Sequence, residues 1–161
     1  MFADVGLSTG AISALFVIWS VTGLITEVPL GVIADRFSRR HVLIASGLLK
    51  AAGYALWIAA PGFAAFAGGF VLWGLAGSCA SGAFEALLYD GLVAIGDAEA
   101  YPRLRGRATA ARLLAALPTT AAATVLFAAG GYRLAGWVSV GCAVAAGAMA
   151  GLLPETPRAR T

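Results

Sequence analysis

The sequence predicts an all-α membrane protein of five transmembrane helices, and three observations lead there. Hydrophobic residues make up 60% of the 161 positions and charged residues 12%, with a mean hydropathy of +0.87. A soluble domain carries roughly 25% charged residues, so this chain has too little polar surface to solvate itself in water. The apolar residues also fall into five runs near the length that crosses a bilayer, about 20 residues, and arginines gather in turns between them.

The runs are Ala11–Ala34, Val42–Ala60, Phe63–Leu88, Ala108–Ala129 and Leu134–Leu153. Residues 1–10 read as an external loop ahead of the helical bundle, residues 11–157. These first residues lack a basic stretch, and the run that follows is too long for a signal-peptide core, so no cleavable leader is expected. Pro61-Gly62 and Gly130-Gly131 make tight turns. The one longer polar stretch, Asp90 to Arg107, is expected to hold a short interfacial helix. Pro29 and Pro118 fall inside runs, where each removes a backbone hydrogen bond and kinks the helix. Gly147 and Gly151 form a G-x-x-x-G face, read as internal packing rather than dimerisation.

Arginine placement sets the orientation. Arg36, Arg39, Arg40, Arg103, Arg105, Arg107, Arg112, Arg158 and Arg160 fall on one side, against Arg133 alone on the other. The arginine-rich loops are therefore expected in the cytoplasm of a multi-pass cell-membrane protein, with Met1 outside. A five-span chain that starts outside leads to the further expectation of a missing helix upstream.

Three ionisable residues lie within runs: Glu27, Lys50 and Glu85. Each costs about 2.5–3.5 kcal/mol at a helix centre, so each is expected to face the bundle interior or water. At 1.5 Å per residue, Glu27 lies ~12 Å before Asp35, Lys50 ~14 Å past His41 and Glu85 ~8 Å before Asp90. Matching depth favours an ion pair between Glu27 and Lys50. The acid left over could carry a proton, could be neutral and bonded to backbone, or, for Glu85 beside Tyr89 and Asp90, could snorkel to the interface. His41 reads as an interfacial residue, and Tyr101 and Trp137 as helix-end aromatics. Trp19, Trp57 and Trp73 are open candidates for lining a cavity.

Other chemistry finds little footing. His41 is the only histidine, which leaves neither a catalytic pair nor a metal-ligand pattern, and no glycine-rich phosphate loop is present. Cys79 and Cys142 read as ordinary buried thiols. No enzyme activity, metal, cofactor or nucleic-acid partner is expected; the expected partner is the lipid bilayer.

The turn Gly31-Val32-Ile33-Ala34-Asp35-Arg36-Phe37-Ser38-Arg39-Arg40 resembles the signature loop between the second and third helices of major facilitator superfamily transporters, roughly G-x-x-x-D-R-x-G-R-R. Ser38 stands where glycine is usual, and it suits the turn only by staying out of the left-handed region or accepting strain. Thr22-Gly23-Leu24-Ile25-Thr26-Glu27-Val28-Pro29 resembles the family's second helix. Ser81-Gly82-Ala83-Phe84-Glu85-Ala86-Leu87-Leu88-Tyr89-Asp90 is similar to a fourth-helix ending in one bacterial branch, and Leu153-Pro154-Glu155-Thr156-Pro157 to the exit from the sixth helix.

This resemblance covers essentially the whole chain and implies an incomplete six-helix half of the facilitator fold, its second to sixth helices, with residues 158–161 starting the cytoplasmic central loop. It implies a partial chain of a secondary active transporter moving a small solute by alternating access, with proton-coupled efflux favoured. It also implies a conformational latch made of Gly31, Asp35, Arg36, Arg39 and Arg40; the alternative is that the arginines only set topology. Glu27, Lys50, Glu85 and Asp90 are the candidate proton or substrate path. On this resemblance the first helix and the C-terminal half are expected to lie outside this sequence, and no arginine opens the fourth span. A non-transporting remnant or a half-transporter assembly partner is the rival reading.

Overall fold

The computed structural model describes residues 2–36 and 38–153, with the backbone alone for residues 3 and 32–36. Four α-helices carry the chain: α1 (Thr9–Arg36), α2 (Arg39–Ala59), α3 (Phe63–Ala94) and α4 (Tyr101–Ala150). All four contain stretches long and apolar enough to cross a membrane. No strand occurs among the described residues. Helices suit such a sequence because lipid offers no partner for backbone amides, so each must be satisfied within its own segment.

Local sequence explains most boundaries. Ser8 caps α1: its Oγ accepts from the Ala11 amide at 3.2 Å, and its carbonyl accepts from Ile12 at 3.0 Å. The Phe2-to-Leu7 turn ahead of it folds back on the bundle, and the Phe2 ring lies 4.8 Å from that of Phe66. Ser38 precedes α2 at φ −60°, ψ 124°, extended backbone that any residue adopts, so the turn needs no glycine. Gly62 precedes α3, and its carbonyl accepts from the Phe66 amide at 2.9 Å.

Three expected boundaries move. α2 begins at Arg39, so Arg39 and Arg40 sit in its first turn rather than in a loop. α3 runs to Ala94 and takes Asp90 into the helix, because the apolar Gly91-Leu92-Val93-Ala94 continues it and Leu92 is buried. The interfacial helix expected after Gly96 is a short 3₁₀ turn, Ala98–Ala100, leading straight into α4.

Separate helices were expected over 108–129 and 134–153, and α4 does break between them: it leaves helical geometry at Gly130 (φ −152°, ψ 18°) and Gly131 (φ 64°, ψ −161°). The second conformation is open only to glycine. A straight 50-residue helix would be about 75 Å long. Instead both ends of α4 lie at one end of the bundle: Arg105 pairs with Glu85 near the end of α3, while Gly151 lies near Ile44 in α2. The helix therefore folds back at Gly130-Gly131 into a first arm (101–129) and a second arm (132–150).

Contacts give the remaining topology. α1 runs parallel to α3: Leu15 packs with Phe66 and Phe70, Thr22 lies against Gly74, and Thr26 meets Ser78. α2 runs antiparallel to α3, from Trp57 at Phe66 through Ser46 at Ala76 to Arg39 at Ala86. The second arm runs antiparallel to α2, with Gly136 against Ile58 and Gly147 against Gly47. Thus α1 and α2 flank α3 and barely touch one another.

Small residues set these spacings. A Cβ on Gly47 would lie 2.7 Å from the Gly147 Cα and 2.8 Å from the Ala143 carbonyl oxygen, backbone atoms with nowhere to go. The Gly147 face is thus internal packing, as its spacing suggested. Large apolar side chains point outward instead, among them Leu24, Val28, Leu114, Leu117 and Val125.

Gly47→Leu is therefore expected to destabilise the bundle by about 3 kcal/mol through overpacking, read as a lowered midpoint of helical circular dichroism in detergent. Gly77→Ala, where a Cβ meets nothing within 4 Å, is expected to be neutral or up to about 1 kcal/mol stabilising from helix propensity.

Candidate functional site

Two groups of polar side chains interrupt the apolar bundle. The first is a charged end where the turn between α1 and α2 meets the end of α3 and the start of α4. Arg39 donates to the Asp90 carboxylate and, at 2.8 Å, to the Ala86 carbonyl. A cation in the first turn of a helix opposes the helix dipole; here the neighbouring acid and carbonyl of α3 offset it. This pair is largely shielded, with 20% and 19% of the two side chains exposed.

Beside it, Glu85 pairs with Arg105, and the Tyr89 and Tyr101 rings meet edge to face at 5.7 Å. These side chains are 42% and 55% exposed, which places the pair among surface ion pairs worth about 0–1 kcal/mol. Glu85 is thus a tie between α3 and α4. Arg40 turns inward, and its buried Nε has no hydrogen-bond partner among the described residues. His41 is exposed. Gly31 lies where α1 passes α3, 3.8 Å from where a Gly82 Cβ would stand, yet a Cβ on Gly31 itself would meet nothing within 4 Å. The side chains of Asp35 and Arg36 lie outside the described residues, as does all of Phe37, so that part of the expected latch has no described geometry. The same holds for Arg158, Arg160 and the Pro154–Pro157 exit.

The second group lies deeper and is aromatic. Trp73 of α3 stands between α1 and α2, with ring centroids 6.4 Å from Trp19, 5.5 Å from Tyr54 and 5.8 Å from Trp57. The Lys50 ammonium lies 5.8 Å from the centre of the Trp73 ring, in cation–π range. The expected Glu27–Lys50 ion pair does not form. The two sit at different levels along α3, Thr26 meeting Ser78 while Lys50 rests on Trp73, and α3 separates their helices; Glu27 is exposed on α1. Trp57 donates its Nε1 hydrogen to the Phe66 carbonyl at 3.2 Å, whereas the buried Trp73 Nε1 has no acceptor among the described residues.

Sequence reasoning missed the uncharged polar stitches. Thr26 Oγ1 and Ser78 Oγ lie 3.0 Å apart, Ser78 Oγ also donates to the Gly23 carbonyl at 3.2 Å, and Ser46 Oγ donates to the Ala76 carbonyl at 2.9 Å. Ser78 and Ser46 are both buried. Their signal was present, since hydroxyls in apolar helices bond across interfaces. Cys79 is buried, but Cys142 is exposed on the second arm, contrary to the reading of both as buried. Among the described residues no cluster of His, Cys, Asp and Glu has metal-site geometry.

Removing one partner of the shielded pair leaves the other uncompensated. Asp90→Asn and Arg39→Met are each expected to cost about 1–2 kcal/mol, and the double variant less than the sum. Thermal melts of the four proteins in detergent measure that coupling; strict additivity would show that the two charges act independently. In comparisons with known proteins, the chain matches no family model, no curated protein and no solved structure.

Proposed function

We propose that this chain is part of a secondary active transporter, the second to sixth helices of a major facilitator N-terminal half, moving a small solute by alternating access. On this reading the two arms of α4 are separate spans, which makes five, and the arginine-rich turns face the cytoplasm of a cell membrane. The observation that carries it is the meeting of two resembling motifs in space. Arg39, from the G-x-x-x-D-R-x-x-R-R turn, engages Asp90 and Ala86 of the Glu-Ala-Leu-Leu-Tyr-Asp helix end. Such a tie between neighbouring helices suits a latch better than arginines that only anchor in headgroups. The fold-back of α4 supports the five-span count, because each arm by itself has membrane length.

The favoured coupling is proton-driven efflux, with Glu27 as the leading proton-carrying acid. It is exposed within an apolar helix and has no ion-pair partner among the described residues. One observation favours the rival, a half-transporter assembly partner: the first arm of α4 is exposed from Thr109 to Val125. On that rival reading the helices of another half would cover this arm.

Two measurements test this. A thiol placed by Ser38→Cys, with Cys79 and Cys142 replaced by alanine, is expected to react with impermeant maleimide only after cells are opened. Labelling from outside intact cells would overturn the orientation. In everted vesicles, addition of a transported cation or acid is expected to discharge an imposed pH gradient. Asp35→Asn is expected to slow that discharge by about tenfold, roughly 1.4 kcal/mol in the barrier. An equal rate in that variant would remove the latch.

A further inference from the structure

We propose that Lys50 and Trp73 form a binding site within the bundle for a monovalent carboxylate carrying a ring. This rests on the reading of α2 and α3 as part of a solute path.

Two hydrogen-bond donors lie side by side here without an acceptor. The Lys50 ammonium, far from either end of α2, has no carboxylate or carbonyl partner among the described residues and only the face of Trp73 beneath it. The Trp73 indole N–H is buried and also lacks a partner. Leaving a buried donor such as the Trp73 N–H unmatched opposes folding. An apolar bundle that keeps both in contact has an acceptor to gain.

The surroundings narrow its chemistry. One ammonium and one neutral N–H match a single negative charge; a dianion such as sulfate would stay half uncompensated where the dielectric is low. The walls are the rings of Trp19, Tyr54 and Trp57, each within 6.4 Å of Trp73. Those faces suit a flat or apolar body with the carboxylate at one end. Lys50 is only partly buried, so its flexible stem can swing the ammonium onto an arriving carboxylate. That movement uncovers the face of the indole, and a turn of the Trp73 ring about its side-chain bonds brings the edge N–H to the second oxygen.

Radiolabelled benzoate binding to the chain in lipid nanodiscs, corrected by empty discs, tests the assignment. Saturable binding is expected, displaced by unlabelled benzoate and not by benzyl alcohol or sulfate. Lys50→Met is expected to weaken it about tenfold or more, as loss of a charged hydrogen bond requires. Lys50→Arg, which keeps the charge but changes its shape, is expected to bind more tightly than Lys50→Met. Trp73→Phe, which keeps a ring and removes the N–H, is expected to weaken binding about threefold or more. Removing a charge from an apolar span does not threaten folding, and helical circular dichroism checks each variant. No saturable binding, equal competition by benzyl alcohol, or full affinity in Lys50→Met would each overturn the site. Absent binding with intact solute-driven proton flux would remove this site alone. Saturable, Lys50-dependent binding without flux would uphold the site while the transport reading fell.

Discussion

Close approach of helix backbones is the constraint on which this bundle depends. In a lipid-like solvent, apolar side chains gain little by leaving their surroundings, since the surroundings are as apolar as they are. What remains is dispersion at short range and the few hydrogen bonds that can cross between helices. Gly47 against Gly147, Gly53 against Gly69 and Gly74 against Thr22 bring main chains together where a single methyl group would not fit without displacement. The stitches from Ser46 and Ser78 become possible only at that separation, because a serine hydroxyl reaches barely beyond its own backbone.

The same constraint accounts for where large residues go. Leu, Val and Ile face outward along α1 and the first arm of α4, while alanine, glycine and serine fill much of the interior. The largest of the buried side chains form a plug of Leu15, Phe66 and Phe70, packed by Trp57, at the end where α1 begins, topped by Phe2. The bundle is thus closed by aromatic packing at one end and tied by charge at the other. Between those ends sits Lys50 on its tryptophan. Ion pairs exchange partners readily, whereas an interlocked aromatic cluster does not.

Helix directions decided which charges could meet. By residue count Glu27 and Lys50 share a depth, and depth is all that such a count provides. Whether two residues at one depth are neighbours depends on which helices touch, and α3 lies between α1 and α2. By contrast, Asp90 and Arg39 are 51 residues apart in sequence and meet because α2 runs antiparallel to α3. Glu85 and Arg105 meet because the chain doubles back across a short turn.

The sequence by itself determined that the chain is helical and apolar enough to cross a membrane, and where most of its helices break. Composition, run length and the Pro61-Gly62 and Gly130-Gly131 punctuation are local properties of a chain in a solvent. It also marked Trp19, Trp57 and Trp73 as candidate cavity residues, without choosing among them. Only the tertiary structure decided that Asp90 belongs to a helix and that Lys50 is matched to a ring instead of an acid. The physical reason is that side-chain partnership depends on helix adjacency, which is set by the fit of small residues at a few crossing points. Hydropathy is blind to that fit.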